Sequence, residues 1–168
     1  MDMDITGSIA NGTFYLSEEL EGKYLTFTLG KEDYGFEIKK VKEIIGIMDV
    51  TRVPKTPKFL KGVINLRGKV VPIIDLRYKF RMQQIDYTKE TCIVVVETDE
   101  MVVGVVVDSV SEVIDIDIDE IESTPAFGHE IDIRYILGMA KVNDEVKILI
   151  NIDKVLSMDE MALASINP

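Results

Sequence analysis

Apolar and polar positions alternate in short runs along most of this chain, which predicts β-strands. Residues 24–29 and 34–38 are β-prone runs joined by a glycine-led turn, which is a hairpin signature. Valine-rich runs at residues 91–96 and 101–107 flank a second polar turn. Residues 39–45 fit a helix or a strand equally well. Because the strands are many and short and no long helix is indicated, the chain is predicted to be mostly β.

The pattern is repeated along the chain. Residues 59–76 align with residues 135–152 without a gap, and residues 41–45 match residues 110–114. The identical pairs include Gly35 and Gly104, Gly62 and Gly138, Val70 and Val146, and Ile74 and Ile150. Repetition of this kind indicates one structural unit used twice. The paired glycines are expected to allow tight backbone packing, and the runs from Val70 and Val146 onward are expected to serve the cores.

Two units of about seventy residues, with about five strands each, predict two small β-barrels. Each barrel alone would be marginally stable, so the two should pack together with a groove between them. We assign residues 21–157 to this domain, with the first barrel mainly in residues 24–80 and the second mainly in 91–152. Residues 1–20 are predicted to be a flexible lead-in. Short helices are expected, and a C-terminal helix from residue 153 should continue into a helix or tail over residues 158–168.

Composition and charge narrow the possible partners. The chain has 168 residues, and 19 basic against 30 acidic side chains give a net charge of −11. This excess repels nucleic acid and anionic lipid and favours a basic protein surface. The single cysteine, Cys92, excludes an internal disulfide and fits a reducing compartment. With no apolar run near the ~20 residues of a membrane span and no secretory signal, a cytoplasmic location without membrane insertion is expected.

Candidate catalytic and metal-binding residues are few. His129, the only histidine, lies in an acidic insertion over residues 119–134 and has no triad motif around it. Cys92 lies in an apolar run without a basic neighbour, so a structural thiol is favoured over a nucleophile. The acidic alternation around Asp117 lacks the glycine and closing glutamate of a calcium loop. We therefore expect no catalytic residues, no metal site and no cofactor, and conclude that an enzyme is improbable.

Differences between the two copies indicate where binding is located. Arg67 is matched by Asn143, so the fold does not require an arginine at this position. Arginine is favoured at binding hot spots because it offers a fork of donors and a plane that stacks. Glu43 is matched by Glu112, which leaves open a local structural role or a partner-facing one. A solvated turn arginine is the alternative for Arg67.

Several motifs resemble the CheW family of chemotaxis coupling proteins, and the resemblance runs from about residue 24 to residue 156. The segments that carry it are LGKEDYGFEI at residues 29–38, VKEII at 41–45, TRVPKTPKFLKGVINLRGKVVPIIDLR at 51–77, VVGVVVDSVSEV at 102–113, YILG at 135–138 and VKILINIDKVL at 146–156. GVINLRG followed by PIIDLR is the most specific of these signals. Residues 1–20 lie outside the resemblance.

The resemblance implies two intertwined, five-stranded, SH3-like β-barrels and a non-catalytic adaptor. In this family the adaptor couples the cytoplasmic tips of methyl-accepting chemoreceptors to the regulatory domain of the histidine kinase CheA. The family's coupling positions fall on Val41, Glu43, Gly62 and Arg67, and Gly62 is the weakest because a glycine change can simply disturb the backbone. A free monomer is expected.

The chemotaxis adaptor has several alternatives. A CheW-like regulatory module of another two-component or chemosensory-like pathway is the main alternative. A CheA kinase or a CheV-type coupler would need further domains, for which 168 residues leave no room. A small barrel enzyme or an oligonucleotide-binding fold would need polar catalytic clusters or a basic aromatic face, which the sequence lacks.

Overall fold

The computed structural model describes residues 20–123 and 133–157, and it is built largely from antiparallel hairpins. In these residues the strands are β1 (Lys23–Leu29), β2 (Glu32–Glu37), β3 (Val41–Gly46), β4 (Leu60–Leu66), β5 (Lys69–Asp75), β6 (Cys92–Glu97), β7 (Val102–Val107), β8 (Ser109–Asp115), β9 (Ile121–Glu122), β10 (Ile136–Val142) and β11 (Glu145–Ile150). Two short helices, α1 (Leu76–Lys79) and α2 (Ile152–Val155), follow β5 and β11. The predicted mostly β fold with two packed sheets is confirmed.

Each sheet combines strands from both copies of the repeat. One sheet has the order β3-β6-β7-β5-β4 and the other the order β8-β1-β2-β11-β10-β9. The β1–β2 hairpin of the first copy lies in the sheet of the second, and the β6–β7 hairpin lies in the sheet of the first. The division of residues 24–80 and 91–152 into one barrel each therefore differs from the structure at these two hairpins. Self-similarity identifies the copies, but it does not say which copy a strand pairs with.

The matched glycines lie where each exchanged hairpin packs against a strand of the other copy. Gly35 on β2 is paired with Leu149 on the parallel strand β11, and Gly104 on β7 is paired with Ile73 on the parallel strand β5. A Cβ atom on Gly35 would lie 3.0 Å from the Leu149 side chain, and one on Gly104 would lie 2.6 Å from that of Ile73. Each glycine thus makes room for an aliphatic side chain of the other copy.

The largest apolar core spans both sheets and makes them one folded unit. It contains Leu25 and Phe36 from one sheet together with Val94 and Val105 from the other. Its aromatic residues form a chain of ring contacts that joins Phe36, Phe27, Tyr34, Phe80 and Tyr135. Because removing either sheet would expose this core to water, the two sheets are expected to fold together.

The structure bears on the predictions for residues 39–45, for the number of strands and for the C-terminal helix. Residues 39–45 form a 3-10 turn, Ile38–Lys40, followed by the strand β3. The sheet that contains β9 has a sixth, two-residue strand beyond the predicted five. The predicted C-terminal helix is described only as α2, which ends before Leu156. Residues 158–168, most of the lead-in and His129 lie outside the described residues.

The prediction that Val70 and its counterpart Val146 serve the cores is wrong. The two residues are 72% and 53% exposed. In the run KVVPIID the next residue, Val71, points inward, while Val70 lies on the outer face. Two adjacent valines hide the period of two from which the buried face of a strand is predicted.

Candidate functional site

The turn between β4 and β5 places Arg67 at the tip of a hairpin. Arg67 and Gly68 have φ values of 51° and 86°, so both central residues of this two-residue turn are left-handed, as a type I′ turn requires. The side-chain oxygen of Asn65 accepts a hydrogen bond from the Gly68 N–H at 2.8 Å and supports the turn. The sequence around the tip therefore favours a tight, defined hairpin end.

The corresponding turn of the second copy has the same shape but different chemistry. Asn143 and Asp144 have φ values of 53° and 66°. Asparagine and aspartate tolerate this conformation well, whereas a long side chain such as arginine is disfavoured there. Arg67 is therefore present despite the local backbone preference, which supports a role other than forming the turn.

Arg67 forms an ion pair with Glu43. Nη2 of Arg67 donates a hydrogen bond to Oε1 of Glu43, which lies on β3. The Glu43 side chain is only 11% exposed, whereas that of Arg67 is 70% exposed. Because β3 and β4 are the two end strands of their sheet, this contact joins its two ends as in a closed barrel. A guanidinium has five N–H donors, so much of its hydrogen-bonding capacity still faces outward.

The second copy does not repeat this pair. Glu112, the counterpart of Glu43, is exposed, and its backbone rather than its side chain is held by the hydroxyl of Thr26. The matched glutamates therefore have different environments. The combination of a buried carboxylate and an exposed guanidinium belongs to the first copy.

Val41 is placed behind this surface. It is 1% exposed and belongs to the core that spans the two sheets. A shift in strand register separates Val41 from Glu43, so β3 bulges between them as it pairs with β6. Val41 can fix the course of β3, and therefore the position of Glu43, but its side chain is not available to a partner.

Gly62 is held by a crossing segment of backbone. Its φ is +145°, and a Cβ atom built on it would lie 2.1 Å from the carbonyl oxygen of Thr51. Thr51 forms a bridge with Val63, with hydrogen bonds of 2.9 and 2.8 Å in the two directions. In the second copy β9 crosses beside Gly138 in the same way and pairs with Met139. The paired glycines thus admit a short extra strand in each copy.

The structure brings Glu43 and Arg67 together, buries Val41 in the core and places Gly62 on β4, beside the Thr51 segment. Sequence reasoning missed two features of this surface. The first is exposed Val70, which lies on the same hairpin end as Arg67. The second is the Thr51 bridge, which joins a proline-containing segment to β4 and leaves no local periodic signal.

The structure also shows the surroundings of Cys92 and of the acidic residues around Asp117. Burial raises the pKa of the half-buried Cys92 thiol, which makes its nucleophilic thiolate less accessible. Asp115 pairs with Lys23 at 2.7 Å. In residues 20–123 and 133–157, no group of three or more His, Cys, Asp or Glu side chains is arranged to hold a metal ion. No helix in these parts of the chain has the length and apolar character needed to cross a membrane.

Comparisons with known proteins agree on one family. A family model described as the CheW-like domain matches residues 23–160. The chemotaxis protein CheW of Klebsiella aerogenes is 44% identical over 146 residues, which cover 87% of this chain and 88% of that protein. The chemotaxis protein CheW of Helicobacter pylori is 32% identical over 140 residues, which cover 82% of each chain.

A solved structure shows the same architecture. The scaffolding protein TtCheW from Thermoanaerobacter tengcongensis superposes with a TM-score of 0.76 at 36% identity. The match covers 83% of this chain and 90% of that one.

Proposed function

This chain belongs to the CheW family, and we propose that it is a non-catalytic chemotaxis adaptor that couples chemoreceptor cytoplasmic tips to the histidine kinase CheA. The observation that carries the proposal is the pair of Glu43 and Arg67 on the first copy alone. A buried carboxylate that anchors an exposed guanidinium presents fixed donors to a partner, which is the arrangement expected of a binding hot spot.

The proposed partners divide the surface between them. We propose that the receptor tip, a helical hairpin, docks against the region between the two barrels, and that the regulatory domain of CheA, itself CheW-like, docks against a barrel. A helix meets such a surface through residues spaced at i, i+3, i+4 and i+7. Exposed Val70 and the donors of Arg67 offer an apolar and a polar contact on one hairpin end.

Coupling in this account needs no chemistry from the chain itself. The core common to both sheets makes the adaptor rigid, so a shift at one face is transmitted to a partner at the other. Modest affinities at single contacts become strong assembly when many copies act together in an array. We place the chain in the cytoplasm as a monomer when it is free, and on the membrane only through its receptors.

Binding measurements on each partner test this proposal. Wild type, Arg67→Asn and Asn143→Ala are compared for affinity to an immobilised receptor-tip hairpin and, separately, to a CheA regulatory domain. Arg67→Asn should weaken at least one partner about tenfold or more, as expected for a hot spot. Asn143→Ala, which alters the corresponding residue of the second copy, should leave both affinities within about twofold of wild type. If wild type binds neither partner, the proposed function fails.

A further inference from the structure

A second surface lies on the opposite side of Gly62 from the Arg67 hairpin. The segment after β3 folds back over β4 and borders an open cleft of about 740 Å³. Val53, Pro54, Leu60 and Tyr78 are among the residues that line it and give it apolar surface. A volume in this range is typical of a ligand-binding site.

Four cationic side chains line this cleft: Arg52, Lys55, Lys58 and Lys61. Lys61 is partly compensated, because its Nζ lies 4.0 Å from the buried carboxylate of Asp75. Arg52, Lys55 and Lys58 are exposed, and within the described part of the chain none of them forms an ion pair. Three uncompensated cations around one cleft are unexpected in a chain of net charge −11.

We propose that this cleft binds a short acidic peptide segment of a partner protein, with carboxylates held at the rim by Arg52, Lys55 and Lys58 and aliphatic side chains held against the apolar walls. Bidentate contact with a guanidinium and point-charge contact with lysines both suit carboxylates. Alternating acidic and apolar residues would match the composition of the cleft.

Charge distribution favours a short segment over a long polyanion. Charges are screened beyond about 8 Å at physiological ionic strength, so a few carboxylates in the cleft experience mainly the nearby cations. A nucleic acid or an anionic membrane would extend past the cleft and meet the acidic remainder of the molecule. The buried Asp75 carboxylate also keeps anionic groups at the rim rather than on the floor.

The proposal is tested with a fluorescein-labelled octapeptide of alternating glutamate and leucine. We expect saturable binding to the full-length protein at low salt, weakened as salt is raised and absent for the same peptide with glutamine in place of glutamate. The triple variant R52E/K55E/K58E should lose about tenfold or more in affinity. Amide NMR shifts on titration should fall on residues 50–61.

The matched control is K31E/K89E/K141E, which reverses three exposed lysines elsewhere and makes the same change in net charge. It should lose less than about threefold in affinity. Equal losses in both triple variants, equal binding of the glutamine peptide, or no saturable binding at low salt would each overturn the proposal. Binding of a uridine oligonucleotide or phosphatidylserine vesicles, but not of the peptide, would overturn the assignment of the occupant. These outcomes are independent of whether receptor tips and CheA bind.

Discussion

At the residue scale, Arg67 has a backbone conformation that suits its counterpart Asn143 better than an arginine. Both residues have φ near +50°, at 51° and 53°. A conformation of this kind costs an ordinary residue about 1 kcal/mol. The guanidinium of Arg67, 70% exposed, pairs with the buried carboxylate of Glu43, and a pair with one solvated partner returns about 1 kcal/mol. Since the turn itself does not favour an arginine, we propose that Arg67 is present for binding.

Replacing Arg67 with asparagine should separate these roles. We expect the free energy of unfolding of Arg67→Asn to stay within about 2 kcal/mol of wild type, since the turn improves while the buried Glu43 carboxylate loses its charged partner. The reverse change in the second copy, Asn143→Arg, should destabilise by about 0.5–1 kcal/mol because no such ion pair forms there. Urea denaturation measures both. A loss above about 2 kcal/mol in Arg67→Asn would assign Arg67 to the fold instead.

Gly62 and Gly138 should differ in their tolerance of a methyl group. A Cβ at Gly62 meets backbone, the Thr51 carbonyl oxygen at 2.1 Å, in a φ region that favours glycine. A Cβ at Gly138 would lie 2.5 Å from Cγ2 of Ile121 and 2.8 Å from the Glu122 carbonyl oxygen, so its backbone clash is the milder one. We expect Gly62→Ala to destabilise by about 2–4 kcal/mol and Gly138→Ala by less.

Hydrogen exchange locates the effect of the Gly62 change. The N–H groups of Thr51 and Val63 donate to each other's carbonyl oxygens across the bridge. In Gly62→Ala both N–H groups should lose protection from exchange. In Gly138→Ala they should keep it. Unchanged protection of both amides in Gly62→Ala would mean that the Thr51 segment does not rest on Gly62.

Comparison of the two copies identified the main candidate binding residue, Arg67, from sequence alone. Arg67 differs from its counterpart, whereas Gly62 on the preceding strand is matched by Gly138, and a difference inside a repeat points to function. Exposure of Val70 could not be predicted in this way, because Val70 lies in a continuous apolar run. Whether an apolar side chain faces the core is then decided by strand pairing, which the runs do not record.

At the element scale, α1 is fixed to the crossover between the two sheets. Nε and Nη2 of Arg77 donate hydrogen bonds of 2.8 and 2.6 Å to the two carboxylate oxygens of Asp108, which lies between β7 and β8. The N–H of Gly30, in the β1–β2 turn, donates a third at 2.8 Å. Asp108 thus joins α1, the β1–β2 turn and the crossover.

The stability of this joint should depend on pH. Burial alone would raise the pKa of Asp108, but the hydrogen bonds from Arg77 and Gly30 lower it overall below its ordinary value of 3.8. A lowered pKa contributes stability above the unfolded-state value, and this stability is lost as pH falls through the folded-state value. Asp108→Asn should therefore lose about 2 kcal/mol at pH 7 and show a shallower loss of stability below pH 4.

Urea denaturation between pH 2 and pH 7 measures this effect. Asp115→Asn is the matched control, because Asp115 pairs with Lys23 but its side chain is 79% exposed. It should change stability at pH 7 by less than about 1 kcal/mol. An Asp108→Asn profile parallel to wild type through the acidic range would mean that Asp108 does not carry the pH dependence.

The positions of the strands could be predicted from the sequence more fully than which strands pair with each other. The β1–β2 hairpin was identified because the alternation and the turn are both local. Its place in the other copy's sheet depends on parallel contact with β11, more than a hundred residues away. The signal was present in the matched glycines Gly35 and Gly104, but only the structure shows that each packs against the other copy.

At the scale of the whole molecule, exchange of the hairpins makes the two copies mutually dependent. A first half cut after Lys89 retains β1 and β2 but lacks β8 and β11, with which they pair. We expect neither half alone to unfold cooperatively, and an equimolar mixture to regain the β signal and a cooperative transition. Circular dichroism with thermal melting tests this. Cooperative folding of either half alone would contradict the exchange.

Coupling requires both partners to bind one molecule at the same time. The most direct measurement immobilises a receptor-tip hairpin and records capture of a CheA regulatory domain with and without this chain. We expect capture only when the wild-type chain is present, and reduced capture with the folded Arg67→Asn variant. Equal capture without the chain, or mutually exclusive binding of the two partners, would mean that this chain does not couple them.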